Sequence, residues 1–298
     1  MTVTYTGDVG NATVRAFCRL LWRWKGSIWK AVHIELIAWL VAYSILALSY
    51  YHILNENQKR VFENLCVFFM KYADFVPITF ILGFFVSLVI SRWWSMFENL
   101  GWIDISAMYV AHHIHGDDEH GRLLRRNVIR HLLFYQVLVY RDISVCIRER
   151  FPTLESCVDA GYLTLDEMSA FMRINSRFPQ YWTPVNWIMA CLRKALEEGR
   201  IRSDKEIEDL QRRVMDFRNN LGSLIGYDWA PIPLLYSQVV SLSVRLYFIM
   251  ALLSRQNLEN AVEASYLPPI NIYVPIVSIM QFVFFVGWLK VAEALLNP

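Results

Sequence analysis

Charge is scarce in this chain. Only 19% of its 298 residues are Asp, Glu, Lys or Arg, against about 25% in an ordinary soluble domain. The net charge is +2, so no basic excess points to nucleic acid, and none is expected as a partner. Cysteine is sparse as well: Cys18, Cys66, Cys146, Cys157 and Cys191 lie far apart with no CxxC pair. An odd, scattered set excludes a disulfide framework or a zinc site and leaves free thiols. The opening MTVTYTGDVG has neither a basic n-region nor an apolar h-region, so a cleaved signal peptide is not expected. Nucleophile elbows, P-loops and dinucleotide fingerprints are absent, and GSIWK and LGSLIG are too short and wrongly placed to cradle phosphate. Nothing supports an enzyme. Alternating β-branched runs and hairpin dipeptides are missing too, which leaves an all-α chain.

What is abundant is apolar surface: 55% of residues are hydrophobic and 15% aromatic. Four stretches approach the roughly 20 residues that a helix needs to cross a bilayer. They cover 31–51, 72–92, 231–254 and 272–294. Two are imperfect, since the first carries His33 and Glu35 and the third carries Arg245. Arg15, Arg19, Arg23, Lys25 and Lys30 precede the first span and Arg92 closes the second, whereas the loop after the third holds only Arg255. Cytoplasmic loops carry the excess of Lys and Arg. Segment 1–30, region 93–230 and the tail from 295–298 are therefore expected on the cytoplasmic side of a multi-pass protein.

Region 93–230 reads as one cytosolic helical unit. DEHGRLLRRNVIRHLLFYQVLVYRDISVCIRER has apolar positions at helical spacing. LTLDEMSAFMRI opens with Thr164 and has Glu167 three residues later, the signature of a capping box. SDKEIEDLQRRVMDFRNNLGSLI predicts another amphipathic helix, capped by Ser203 or Asp204. HHIHGDDEH at 112–120 is the one cluster with metal-ligand chemistry. Its spacing fits no helical zinc motif, so it reads as a polar loop before a helix.

The second span, DFVPITFILGFFVSLVISRWW, opens with Asp74 and Pro77. Proline cannot donate a backbone hydrogen bond, and lipid cannot tolerate the gap, so this point should be buried in protein or line water. A helix restarting here, with Asp74 as a candidate cap, presents free N–H groups and a partial positive charge. Val76, Phe80 and Phe84 recur at i, i+4 and i+8. Such a stripe serves helix packing or, beside a helix break, a hydrophobic constriction in a pore. Charges within spans face a partner or a cavity. Arg245 is thus ion-paired with another helix, snorkelled, or part of an electropositive vestibule, while Glu35 sits near the cytosolic end of its span.

PITFILGFFVSLVISRWW, GRLLRR, RFPTLESCVDAGYLT, YDWAPIPLLYSQVV, VGWLKVAEALLNP and the opening MTVTYTGDV resemble the bestrophin family, in its animal branch, from Met1 to Pro298. The resemblance implies a calcium-activated chloride channel in the plasma membrane. It would be a homopentamer around one central pore, with four transmembrane helices per subunit plus a cytosolic helical region. It places the neck at Val76, Phe80 and Phe84, an anion-binding helix end at Pro77 and a lower cytosolic aperture at Lys205. A ring of lysines there would attract anions instead of forming a dry gate. The resemblance also implies a calcium clasp whose backbone oxygens map to Gly10, Ala294 and Asn297. The family's acidic run after NP is not in this sequence, so the expectation is a chain cut short of its calcium carboxylates; three carbonyls alone bind calcium poorly. Chloride and other small anions would be the permeant species, with lipid as the surroundings. Two rival expectations are an anion transporter with a midplane site at Pro77 and a membrane scaffold without conductance.

Overall fold

The computed structural model describes residues 7, 10, 13–73, 75, 77–258 and 274–296. Among them the regular structure is entirely helical. Two compact units emerge, one from residues 1–93 with 232–298, the other from 94–231.

The first unit holds helices α1 (Val14–Leu21), α2 (Ile28–His52) and α3 (Glu56–Ala73). Helix α4 (Ile78–Glu98) starts within it, and α12 (Leu234–Ser254) and α13 (Ile276–Leu295) complete it. Helices α2, α12 and α13, with the stretch that starts at Ile78, are long and apolar enough to cross a membrane. Three of these spans begin directly after a proline: Pro77, Pro233 and Pro275. A residue without an N–H loses nothing at a helix start, where the first amides have no intrahelical acceptor. Start points follow from this: the second span begins at Ile78, later than the expected 72, and continues to Glu98.

Aromatic groups hold this unit together. Trp39 stacks on Tyr43 with centroids 5.5 Å apart and meets Phe282 at 5.7 Å, while Phe248 lies 4.7 Å from Phe282. Each polar tip finds an acceptor, as buried Trp and Tyr require. Trp39 Nε1 donates to the Phe248 carbonyl at 2.9 Å and Tyr43 OH to that of Arg255 at 2.9 Å. Helix α3 has no counterpart in the sequence reading. It is fastened where Tyr50 OH donates to the buried Glu63 carboxylate, with Phe62 5.5 Å from the Tyr50 ring.

The second unit contains α5 (Ile103–His113), α6 (Glu119–Ile143), the short α7 (Val145–Arg150) and α8 (Leu154–Asp159), α9 (Leu165–Arg173), α10 (Trp182–Glu197) and α11 (Asp204–Trp229). Leu210, Val214, Phe217, Leu221 and Leu224 bury one face of α11, at the three- and four-residue spacing of an amphipathic helix. They pack with Leu124, Val128, Leu132, Tyr135 and Val139 of α6 and with Ile188 and Leu192 of α10. Gly101 turns with φ +69°, and a Cβ there would lie 2.9 Å from Leu221 Cδ2. Both the left-handed backbone and the close approach require glycine.

The capping box at Thr164 and Glu167 is present in full, and Glu167 does more than cap. Arg130 donates to both its oxygens at 2.5 and 2.6 Å, and His131 Nε2 lies 2.9 Å away. Burial raises the Glu167 carboxyl, but hydrogen bonds from Arg130, His131 and the Thr164 N–H outweigh it and hold the group well below its ordinary 4.5. A depressed folded value stabilises the fold above the ordinary glutamate range and is lost as pH falls through the folded value. The HHIHGDDEH segment is fastened similarly. Arg200 grips Asp118 at 2.6 and 2.7 Å and Glu198 at 2.8 Å, while His120 Nδ1 lies 3.1 Å from Glu198. Among the described residues no three His, Cys, Asp or Glu side chains could hold a metal.

Glu167→Gln is expected to cost about 2 kcal/mol at neutral pH, through a weakened cap and a half-satisfied Arg130. The difference from the parent should shrink as pH falls below about 4.5. Thermal unfolding of the purified chain across pH measures both.

Candidate functional site

Helix α4 begins cleanly after the proline, with Ile81 N–H donating to the Pro77 carbonyl at 3.1 Å. Its first turn contains no acidic residue, so no carboxylate within that turn offsets the partial positive charge of the helix start. Asp74, the expected cap, and Val76, the expected first neck residue, lie outside the described residues.

The helix then divides into two faces. Ile78, Leu82, Phe85, Val86 and Val89 are buried in the first unit's core, with Leu82 at 0% exposure. On another face Phe80 and Phe84 are 66% and 60% exposed. Their rings meet edge to face, with centroids 4.7 Å apart and planes at 64°, an arrangement that aromatic quadrupoles favour. Leu88, also exposed, extends the row by one turn. Leu88 was not among the expected neck residues, although the four-residue spacing of Phe80 and Phe84 reaches it. An outward row of ring edges and aliphatic groups can narrow a passage and repel water without offering a fixed charge.

The charges within the spans form a chain. Lys290 Nζ lies 2.7 Å from Glu35 Oε1 and 2.9 Å from Glu293 Oε2, and Glu293 Oε1 lies 3.6 Å from Arg245. Arg245 also donates to Ser241 Oγ. Two cations and two anions thus tie α2, α13 and α12, and each half-exposed charge finds an opposite partner, as the membrane demands. Arg245 therefore acts as one end of a balanced series, which weakens its pull on an anion in a vestibule. Lys290 and Glu293 were missed in sequence. Their signal was a Lys and a Glu at i, i+3 near the end of an apolar run.

Lys205 occupies the second position of α11, exposed, behind a Ser203 cap whose Oγ accepts from Glu206 N–H at 3.3 Å. Of the expected calcium oxygens, Gly10 is exposed, and Ala294 lies exposed in the last turn of α13, where helical carbonyls have no intrahelical donor. Asn297 lies outside the described residues. Ala294 can thus offer an oxygen, but the set contains no carboxylate. Calcium takes six to eight oxygens, several of them charged, so these residues do not make a calcium site by themselves.

A family model described as "Bestrophin, RFP-TM, chloride channel" matches residues 1–298. The chain belongs to the bestrophin family. It is 42% identical over 298 residues to Bestrophin-3 of Homo sapiens, covering 100% of this chain and 44% of that protein. Bestrophin homolog 15 of Caenorhabditis elegans is 42% identical over 305 residues, covering 100% and 58%. Bestrophin-2 of Mus musculus is 41% identical over 298 residues, again covering 100% and 58%. The chain thus spans about half the length of these bestrophins. A crystal structure of a bacterial bestrophin homolog from Klebsiella pneumoniae, carrying a point mutation, aligns with a TM-score of 0.60 at 18% identity. It covers 90% of this chain and 89% of that one. A second crystal structure, of a membrane protein, gives 0.61 at 19% identity with the same coverage. Bestrophin membership, the all-helical architecture and residence in a membrane follow.

Lys290→Met should destabilise the purified protein by about 2 kcal/mol, by leaving Glu35 and Glu293 without their shared cation. Adding Glu35→Gln should recover part of the loss, with coupling of about 1 kcal/mol in a double-mutant cycle read by thermal unfolding.

Proposed function

We propose that this bestrophin chain forms the pore-bearing part of a calcium-activated anion channel, a homopentamer in the plasma membrane that conducts chloride and other small anions. The observation that carries this is the two-faced helix α4: its inner face is sealed in the subunit core, while Phe80 and Phe84 point away from that core. Five copies around an axis would turn the row Val76, Phe80 and Phe84 into a hydrophobic neck. The family description as a chloride channel supports the same assignment. The basic residues flanking the spans support cytoplasmic N- and C-termini, and exposed apolar helix faces would lie against membrane lipid.

Conduction in this scheme has three physical parts. A field of positive sign draws anions in, with Lys205 contributing a ring of charge at the cytosolic aperture. At the neck the anion sheds part of its hydration, and the aromatic ring edges, weakly positive, offset part of that loss. The helix start at Pro77 adds free amide dipoles directed at anionic charge. In the closed state the same apolar row excludes water. No reaction is catalysed. A calcium response requires carboxylates in addition to the carbonyls of Gly10, Ala294 and Asn297, so no step of conduction is assigned to calcium.

Phe80→Ala with Phe84→Ala should give chloride conductance at rest, without stimulus, in reconstituted bilayers; a silent double variant would remove these residues from the neck. Lys205→Glu should lower anion conductance or shift the reversal potential away from chloride. An unchanged current and reversal potential would take Lys205 out of the pathway.

A further inference from the structure

Among the described residues, helix α1 is the most amphipathic helix left uncovered. At 100° per residue, Val14, Phe17, Leu20 and Leu21 fall on one side, with Arg15 and Arg19 opposite. No residue of the helix is buried, and its apolar side is open: Leu21 is 68% and the adjoining Trp22 83% exposed. Six residues separate the end of the helix at Leu21 from the start of the first span at Ile28. Trp29 at that span's start donates its indole N–H to the Leu21 carbonyl at 2.7 Å, and its ring stacks on Trp22 with centroids 6.5 Å apart. The helix end is therefore pinned to the point where the chain enters the membrane. Between residues 13 and 30 there are five basic residues, Arg15, Arg19, Arg23, Lys25 and Lys30, and no acidic one.

We propose that α1 is an interfacial helix that lies in the cytoplasmic leaflet and binds anionic phospholipid. Its apolar side enters the acyl boundary, Trp22 and Trp29 sit at headgroup depth, and Arg15 and Arg19 pair with lipid phosphates and carboxylates. An apolar face next to a span, opposite a purely basic one, is the pattern that anionic membrane surfaces hold. Indole rings at the start of a span fit the interfacial belt. The proposal rests on the cytoplasmic placement of the N-terminus given above and not on conduction.

The test uses the full chain with Cys18→Ser and Cys146→Ser, spin-labelled at Leu21→Cys or at Arg15→Cys, in vesicles of phosphatidylcholine with and without phosphatidylserine. Phe17→Cys serves in place of Leu21→Cys should that variant fail to reconstitute. The label at 21 should collide several-fold more with oxygen than with an aqueous nickel chelate, and the label at 15 should show the reverse. Phosphatidylserine should enlarge that contrast, and Arg19→Gln should reduce the enlargement. Equal access of the chelate to both positions would place the helix in water. Shielding of position 21 from both reagents would mean that protein, such as a second copy, covers it, and indifference to phosphatidylserine would remove the anionic preference; each result overturns the proposal. Chloride flux in the same vesicles reports separately on conduction.

Discussion

The structure depends on how one helix distributes its apolar side chains. Helix α4 is apolar nearly all round, yet among the described residues the covered face is the one formed by Ile78, Leu82, Phe85, Val86 and Val89. In water the exposed row of Phe80, Phe84 and Leu88 would be costly. In a bilayer it is not, because lipid tails are as apolar as the side chains. Exposure alone therefore suits lipid, a second copy or a narrow passage equally. The helix start at Pro77 bears on that choice in the proposed channel, since first-turn amides lack intrahelical acceptors and suit anions better than lipid.

Holding such a helix in place needs a rigid frame. At one level of the spans, Glu35, Lys290, Glu293 and Arg245 tie three helices by alternating charge. Elsewhere, Trp39 and Tyr43 donate to carbonyls of Phe248 and Arg255. Both devices satisfy polar groups internally, where the hydrocarbon offers no partner. Because the ion series is neutral overall, it holds the frame without adding a large fixed charge to the spans.

The four spans were legible because composition alone marks a bilayer-crossing helix, and the capping box at Thr164 and Glu167 because its spacing is local. Their start points were less so: proline decides them at Pro77, Pro233 and Pro275, and an apolar window extends past it. Helix α3 escaped because its sequence, ENQKRVFENLCVFFMKYA, is polar along half its length and Tyr50 comes from the preceding helix. Arg245 and Glu35 were visible as charges in spans, but their partners Lys290 and Glu293 sit far away in sequence, where no local pattern announces the pairing. The use of Arg130 and His131 to hold Glu167 is hidden for the same reason. For the proposed neck, spacing supplied the row Val76, Phe80 and Phe84 while leaving packing as a rival, and bestrophin membership supplied the reason to propose a pore.

A central pore for anions makes one demand that neither a scaffold nor a coupled transporter shares. Purified chain in a planar bilayer under a chloride gradient, with the cation held equal on both sides by an impermeant anion, tests it most directly. A current that reverses at the chloride equilibrium potential, and follows it as the gradient is changed, is the predicted result. No anion current with or without calcium, or a saturable flux that requires a second ion, would contradict the account.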